Sequence, residues 1–397
     1  MNTTLKHWKE AATLILAAGH KLGAERLSSR TPLTAAAGAL QDGGGGNGRF
    51  DYNVLMLKRS SASTFMPNAY VFPGGTVHSS DFSSDWLDVF KSFSHSPNFG
   101  LRGVTQTAES RPPMFATDRR TLGSPVPGEV AFRICALRET FEESGVLLCV
   151  SKREESSLLR SLGEREGPLR YKANDLCGRE LDRWRDLVNQ NPANFIQMCR
   201  ELEVWPNIWA LHEWSNWLTP AGRYGVKRFD TAFFICCLQE VPHALQDEKE
   251  IVSLEWSTPS ELLQSYRAQE LWLAPPQVYE LSRMCHVPRL KDLHDFSRRR
   301  GTEGCEQLLP VVSLKHEPYT ALLPGDGCYP SAAPGEAGVG TSADPQPEDP
   351  REEDPALHRI VTLDPYNITL QITIAPKYNH LLPVSEPTSP QDSKSRL

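Results

Sequence analysis

Three carboxylates stand close together at Glu139, Glu142 and Glu143, in a segment whose pattern predicts a helix. On a helix Glu139 and Glu143 are i,i+4 neighbours, and Glu142 lies beside them. Like charges at this spacing repel, so a helix gains no stability from them. A divalent cation such as Mg²⁺ binds carboxylate oxygens together with substrate phosphates, and it would remove the repulsion. A solvated acidic face is the alternative, and the surrounding residues decide against it.

Those surrounding residues resemble the signature of the Nudix hydrolases, G-x5-E-x7-R-E-U-x-E-E-x-G-U, where U is a bulky aliphatic residue. The run 138–146 reads R-E-T-F-E-E-S-G-V and matches every fixed position of the second half. Thr140 is a mild departure at the first aliphatic position. The chain is therefore similar to Nudix enzymes in the part of the signature that holds metal.

The first half of the signature resembles the run 72–75, F-P-G-G, but the spacing from its last glycine leads to Asp81 instead of glutamate. An insertion of roughly residues 82–128 separates this acid from the second half. Glu129 is a second candidate for the missing acid, although it stands one residue too far from Arg138. The sequence leaves the choice between Asp81 and Glu129 open.

The resemblance implies hydrolysis of a nucleoside diphosphate linked to another group, with Mg²⁺ or Mn²⁺ as cofactor. It places the metal on Glu139, Glu142 and Glu143, and the backbone carbonyl of Gly75 is a further candidate ligand. Glu143 or Glu142 is expected to take the proton from the attacking water, so both are predicted to be catalytic. Arg138 is expected to orient the acidic residues through charge-assisted contacts and not to touch the substrate.

Nudix enzymes that cleave coenzyme A carry a further motif before the box, L-L-T-x-R-S/A-x3-R-x3-G-x3-F-P-G-G. The chain resembles it at Arg59, Ser60 and the run 72–75. The resemblance implies substrate contacts from Arg59, whose bidentate fork suits a phosphate, and from Ser60. It also implies contacts from Phe72 and Gly74. A surface cation at a strand end is the alternative reading of Arg59. Three residues depart from the motif: Leu57, Thr64 and Asn68.

Together these motifs predict hydrolysis of CoA and acyl-CoA esters to 3′,5′-ADP and (acyl-)4′-phosphopantetheine by a metal-activated water. One alternative is hydrolysis of another nucleoside diphosphate derivative, such as NADH, a sugar nucleotide or an RNA cap. A second is a Nudix module that binds a nucleotide without turnover, as the split box and Asp81 suggest. The intact acidic cluster argues against that second alternative.

Composition narrows the environment of the protein. The net charge of −7 and the pI near 5.9 argue against a surface that coats nucleic acid. The nine cysteines are scattered and form no C-x-x-C, which indicates reduced thiols in an intracellular compartment. No apolar run approaches the ~18–20 residues that cross a bilayer, so no membrane span is predicted.

The sequence ends in Ser395-Arg396-Leu397, which differs from the peroxisomal address S-K-L by one conservative change. Lys394 precedes it, in a tail whose Pro and Ser content predicts exposure to a receptor. Chance matches to a tripeptide are common, but its position at the carboxyl terminus favours the interpretation as a targeting signal. We therefore expect the protein in the peroxisomal matrix, with the import receptor as a partner.

Apolar runs predict the elements that position these residues. Strands are predicted over 8–18, 52–59, 69–72, 146–150, 229–238 and 250–256, and helices over 131–143 and from 257. This alternation fits an α/β fold, and the resemblance implies the Nudix α/β/α sandwich with a mixed sheet, a long insertion within the box and a C-terminal extension. The predicted divisions are a Nudix domain over 8–290 with insertions at about 82–128 and 152–203, an accessory helix or hairpin over 291–323, a disordered acidic Pro/Gly-rich linker over 324–356, a C-terminal β-hairpin over 357–383 and an exposed tail over 384–397.

Overall fold

The computed structural model describes residues 8–20, 50–93, 96–158, 178–220, 227–246, 250–313, 319–330 and 356–384. Its strands are β1 Lys9–Gly19, β2 Tyr52–Arg59, β3 Ala69–Val71, β4 Gly74–Thr76, β5 Cys149–Ser151, β6 Val204–Pro206, β7 His212–Leu218, β8 Phe229–Leu238, β9 Ile251–Ser257, β10 Trp272–Leu273, β11 Gln307–Leu308, β12 Val311–Ser313, β13 Tyr319–Leu322, β14 His358–Asp364 and β15 Asn367–Ile372. Its α-helices are α1 Asp85–Val89, α2 Pro113–Ala116, α3 Gly128–Ser144, α4 Arg179–Gln190, α5 Asn194–Glu201, α6 Pro259–Arg267, α7 Pro275–Met284 and α8 Leu290–Arg300. Short 3-10 helices span Ser79–Phe82, Lys91–Phe93, Pro97–Gly100, Arg119–Leu122, Lys152–Glu154 and Ile208–Ala210.

A mixed sheet forms the centre of the described structure. Its strand order is β10-β3-β2-β1-β8-β7-β11, with β4 paired to β1 and β9 paired to β2. Strand β1 runs parallel to β8 and antiparallel to β2 and β4. Leu14 and Leu16 of β1 face one apolar cluster, whereas Ile15 and Ala17 face the other. Burial on both faces explains why this strand is an almost unbroken apolar run.

Helices cover both faces of this sheet. Helix α3 packs in the cluster on one face, and helices α6, α7 and α8 contribute the apolar residues of the cluster on the other. The predicted α/β class with a mixed sheet is therefore confirmed. Thr258 caps α6 by accepting from the Glu261 amide, while the Glu261 carboxylate accepts from the Thr258 amide, which fixes the helix start expected near Pro259.

Two features of the sheet differ from the prediction. The strand expected over 146–150 begins only at Cys149, and it pairs with β6 in a separate two-stranded sheet. Strand β7 lies inside the central sheet and was not predicted at all. Its Glu213, Ser215 and Asn216 break the apolar pattern. They can nevertheless be buried, because hydrogen-bond partners on other elements satisfy their polar groups. A single sequence does not reveal such partners.

The insertion 82–128 is partly helical and packed. Phe93 stacks on Trp209 with ring centroids 4.6 Å apart, and Trp205 donates from its indole nitrogen to the Val89 carbonyl at 2.7 Å. These contacts fasten the insertion to residues 204–210, and the Trp86 ring, 6.1 Å from that of Phe195 between centroids, joins it to the second segment, 152–203. The described part of the insertion is thus a layer of the fold.

The C-terminal strands β12 to β15 form one antiparallel four-stranded sheet. His358 joins it to α7, because its Nε2 lies 2.8 Å from the Tyr279 hydroxyl and its Nδ1 lies 2.7 Å from the Pro324 carbonyl. A carbonyl only accepts, so Nδ1 carries the proton and Nε2 accepts from the tyrosine. Burial lowers the pKa of His358 to about 4, which keeps the ring neutral.

The linker predicted over 324–356 begins later in the structure. Residues 324–330 are described, and Asp326 pairs with both nitrogens of the Arg359 fork at 2.7 and 2.8 Å. The remainder, 331–355, lies outside the described residues, as do the glycine-rich run 43–46 and the terminal tripeptide. The first part of the predicted linker is therefore an ordered edge of the C-terminal sheet.

In the described ranges no helix combines the length and apolarity needed to cross a membrane. The cysteines of those ranges are free thiols: Cys135, Cys149, Cys199, Cys236, Cys237, Cys285, Cys305 and Cys328.

A buried carboxylate, Glu280 of α7, organises the far side of the sheet. It accepts hydrogen bonds from the indole nitrogens of Trp214 and Trp217 at 2.8 and 2.7 Å, and from the Ser215 hydroxyl at 2.8 Å. Arg283, one turn along the same helix, balances its charge at 3.2 Å. This network ties α7 to β7.

We predict that Glu280→Ala lowers the free energy of unfolding by about 3–5 kcal/mol, because it leaves the buried Arg283 without its counter-charge. Glu201→Ala, at an exposed carboxylate on α5, should change it by less than about 0.5 kcal/mol. Urea unfolding of both variants measures the difference. Equal stability of the two would contradict the structural role of Glu280.

Candidate active site

The acidic cluster occupies the last turn of helix α3. Glu142 and Glu143 precede the helix end at Gly145, which adopts a left-handed conformation at φ 72° and donates to the Phe141 carbonyl at 2.8 Å. The partial negative charge at the C-terminus of a helix repels carboxylates. This placement therefore costs stability, which is typical of residues retained for function.

Arg138 counters part of that repulsion from the centre of the cluster. Its guanidinium is buried and grips both oxygens of Asp81, with Nε–Oδ1 at 2.9 Å and Nη2–Oδ2 at 2.8 Å. Its remaining nitrogen, Nη1, donates to Glu139 at 2.8 Å and to Glu142 at 3.0 Å. Burial disfavours the charge, but Asp81 and Glu139 outweigh burial and raise the pKa of Arg138 well above its ordinary value. The predicted orienting contacts are thus present.

Asp81 is the acid that the structure places at Arg138. It lies in the 3-10 helix Ser79–Phe82, where its Oδ2 also accepts from the His78 amide at 2.8 Å. Glu129 instead belongs to another buried cluster, in which Arg111 contacts it at 2.6 Å. The two halves of the split signature therefore meet through Asp81, which closes the choice that the sequence leaves open.

The glycine pair of strand β4 lets backbone approach the carboxylates. The Gly74 amide donates to Glu143 Oε2 at 2.9 Å. A Cβ on Gly75 would lie 2.5 Å from the carboxylate carbon of Glu139, so no larger residue fits without moving that carboxylate. The Gly75 carbonyl lies 3.8 Å from the Cys135 sulfur. Gly74 thus holds the Glu143 carboxylate by a hydrogen bond, and Gly75 leaves room for the Glu139 carboxylate.

Burial and mutual repulsion make the cluster electrostatically unfavourable. Burial is the main cause that raises the pKa of Glu139 and of Glu143, and in Glu143 the charge of Glu139 adds to it. In Glu142 burial, opposed by Arg138 and reinforced by Glu139, raises the pKa to about 7. A bound cation would relieve this repulsion. The donor set, made of carboxylate oxygens, fits a hard divalent cation.

The three glutamate carboxylates form hydrogen bonds with two different partners. Glu139 and Glu142 each direct an oxygen to Arg138, and Glu143 directs one to Gly74. Within the described ranges, no three His, Cys, Asp or Glu side chains form a ready-made metal site.

The cluster opens into a cavity of about 530 Å³. Glu139, Glu142 and Glu143 line one part of it, together with Arg59. Apolar residues line another part, among them Val312 of the C-terminal sheet. The acidic helix and the C-terminal sheet thus border the same space.

Comparison with known proteins supports this picture. The family model described as the NUDT19 Nudix domain matches residues 8–284, and the model described as the NUDT19 C-terminal domain matches residues 312–373. The chain belongs to the NUDT19 family of Nudix hydrolases. The resemblance to Nudix enzymes expected from the sequence is confirmed. Both family models describe the vertebrate protein that is numbered nineteenth among the Nudix hydrolases. Nudix hydrolases are enzymes that generally use a divalent metal.

Curated relatives match over nearly the full length. A Xenopus laevis protein named "Acyl-coenzyme A diphosphatase NUDT19" is 45% identical over 100% of both chains. The Gallus gallus protein of the same name is 44% identical over 100% of both chains. The Homo sapiens protein of that name is 38% identical over 95% of this chain and 94% of its own.

The predicted substrate residues of this Nudix hydrolase differ in their placement. Arg59 lines the cavity, but its fork pairs with Glu250 at 2.6 Å and with the Ser63 hydroxyl at 2.9 Å. Phe72 and Gly74 also line the cavity, and the Phe72 ring is otherwise buried. Ser60 lies outside the cavity lining, and its hydroxyl accepts from the Ala62 amide at 3.2 Å. A substrate contact from the Ser60 side chain stays a prediction from the motif alone.

Sequence reasoning missed Glu250, a fourth carboxylate at this cavity. Its charge contributes to raising the pKa of Glu139 and Glu143, while it holds Arg59. It lies more than a hundred residues beyond the acidic helix and in no recognised motif. Glu250 directly precedes strand β9, which pairs with the strand of Arg59. The apolar run that begins there is the one signal in the sequence that could have pointed to it.

We predict that Asp81→Asn lowers kcat by roughly 10- to 100-fold, the usual range for residues that position metal ligands. The change removes the charge that anchors Arg138 while it keeps the shape of the side chain. Glu129→Gln, an equivalent change in the Arg111 cluster, should leave kcat per folded molecule unaltered. Steady-state kinetics with the fraction folded measured by circular dichroism provides the comparison. A larger loss in Glu129→Gln would reverse the assignment.

We also predict that Gly75→Ala lowers activity by roughly 10- to 100-fold, because the new methyl group displaces the Glu139 carboxylate. Gly103→Ala is the matched control, since a Cβ at Gly103 meets nothing within 4 Å. Activity assays at saturating metal should separate the two variants, while their thermal unfolding midpoints stay similar. Wild-type activity in Gly75→Ala would show that the close approach has no functional role.

Proposed function

We propose that the protein hydrolyses the diphosphate bond of CoA and acyl-CoA esters, and releases 3′,5′-ADP and (acyl-)4′-phosphopantetheine. The observation that carries the reaction class is the buried Arg138, which binds Asp81, Glu139 and Glu142, and the two glutamates line one cavity. The substrate class is supported by full-length relatives named acyl-coenzyme A diphosphatases. The partial CoA motif before the box points the same way.

The cofactor in this proposal is Mg²⁺ or Mn²⁺, held by Glu139, Glu142 and Glu143 with the Gly75 carbonyl as a further candidate. When bound there, such a cation would supply positive charge to neutralise the diphosphate and would make a nearby water more acidic. Arg138 keeps two of the carboxylates in place and offsets their mutual repulsion. A carboxylate oxygen of Glu143 or Glu142 accepts the proton of the attacking water.

Other reactions fit the residues less well. An RNA cap requires affinity for a phosphate backbone, and the net charge of −7 disfavours it. The apolar part of the cavity suits a substrate with an alkyl arm better than a sugar nucleotide. The intact acidic helix argues against a Nudix module that binds a nucleotide without turnover. Import into the peroxisome through Ser395-Arg396-Leu397 is part of the proposal, and those residues lie outside the described ranges.

We predict that Glu143→Gln lowers the turnover of CoA by about 100-fold or more, since it removes a candidate base and ligand. Glu180→Gln, at an exposed glutamate of α4, is the control and should keep wild-type turnover. Release of 3′,5′-ADP measured with Mg²⁺, after EDTA and after Mn²⁺ addition reports both the variant effect and the metal requirement. Near-normal activity of Glu143→Gln would refute its role, and full activity in EDTA would refute the metal.

A further inference from the structure

The cavity at the acidic helix has two chemically different parts. One part carries the charged side chains of Arg138, the three glutamates, Arg59 and Glu250. Lys227 also lines the cavity, where it donates to the Thr64 hydroxyl at 2.9 Å. The other part lies against the C-terminal sheet, where five of the described residues line it, and none of these five is charged. These residues are Val312, Tyr319, Ala321, Ile360 and Thr362.

The five residues share one face of the C-terminal sheet. Ala321 pairs with Val312 on one side and with Ile360 on the other, and Tyr319 pairs with Thr362. Paired residues and residues two positions apart in a strand point to the same side. The lining is therefore a continuous surface across strands β12, β13 and β14, which we call the C-terminal wall.

Apolar residues of the Nudix domain line the same cavity. They come from the end of β7, from strand β8 and from the start of α7, and they include Leu218, Phe229, Phe233, Pro275 and Pro276. The C-terminal sheet is fixed at its other end as well, because Tyr266 and Trp272 donate to the Pro365 carbonyl at 2.9 and 3.1 Å. The C-terminal sheet is thus anchored to the Nudix domain, and it lines the same cavity as the acidic helix.

We propose that the C-terminal wall binds the pantetheine and acyl arm of acyl-CoA, an inference that rests on the proposed function. The diphosphate must lie at the glutamates, and the two arms of the substrate extend from it. The nucleotide arm carries a doubly charged 3′-phosphate, which an uncharged wall cannot stabilise without a large desolvation cost. The acyl arm is uncharged, and its methylene groups gain by leaving water. The C-terminal sheet therefore sets the preference for the acyl chain.

The test compares CoA with dodecanoyl-CoA in variants that fill the wall. In Ala321→Phe the ratio of kcat/KM for dodecanoyl-CoA to kcat/KM for CoA should fall about tenfold or more, as expected when a binding pocket loses room for part of a chain. Thr362→Phe is a second variant at a partly exposed position and should lower the same ratio. Val361→Phe is the matched control, because Val361 neighbours both Ile360 and Thr362 in β14 and lies on the opposite face.

Each result has a distinct meaning. A wild-type ratio in both wall variants, with thermal unfolding showing that they are folded, would overturn the C-terminal wall while the proposed function stands. An equal fall in Val361→Phe would overturn it too, because bulk anywhere in the sheet would then suffice. Failure of the wild-type protein to release 3′,5′-ADP from CoA and from dodecanoyl-CoA would refute the proposed function and this inference with it.

Discussion

The buried guanidinium of Arg138 is the interaction on which the site depends. Glu139, Glu142 and Glu143 crowd this region, and burial raises the pKa of each of them. Arg138 binds Asp81 with two nitrogens and Glu139 and Glu142 with the third. The arginine therefore allows a helix to end in acidic residues next to a glycine-rich strand. It also spans the insertion, because Asp81 and Arg138 lie 57 positions apart in the chain.

The insertion and the C-terminal sheet extend the Nudix domain in different directions. The insertion packs its aromatic residues against the second segment on the α3 side of the sheet, for example Trp86 near Phe195. The C-terminal sheet instead docks on α6 and α7 through Tyr266 and Tyr279, and it reaches the cavity. One addition therefore completes the scaffold around Asp81, and the other shapes the space into which the acidic residues open.

The sequence predicts what is local and misses what is not. The acidic helix, the glycine pair and the apolar strands β1, β2 and β8 follow from spacing and periodicity over a few residues. Strand β7 is missed because its buried Glu213 and Asn216 interrupt the apolar pattern, and the sequence does not show the partners that allow their burial. The hairpin of β14 and β15 lies within the predicted range 357–383, but the place of the C-terminal sheet at the cavity, like that of Glu250, follows only from the fold. Ser60 has the right spacing but is not among the residues that line the cavity. The choice of Asp81 over Glu129 is likewise a matter of tertiary contact.

The most direct test of the account is the identity of the products. Purified protein with Mg²⁺ would be offered CoA, acyl-CoA, NADH, ADP-ribose and capped RNA together, and the products would be identified by mass. We expect 3′,5′-ADP and (acyl-)4′-phosphopantetheine from the CoA substrates. Turnover of another member of the panel with CoA and acyl-CoA left intact would contradict the account.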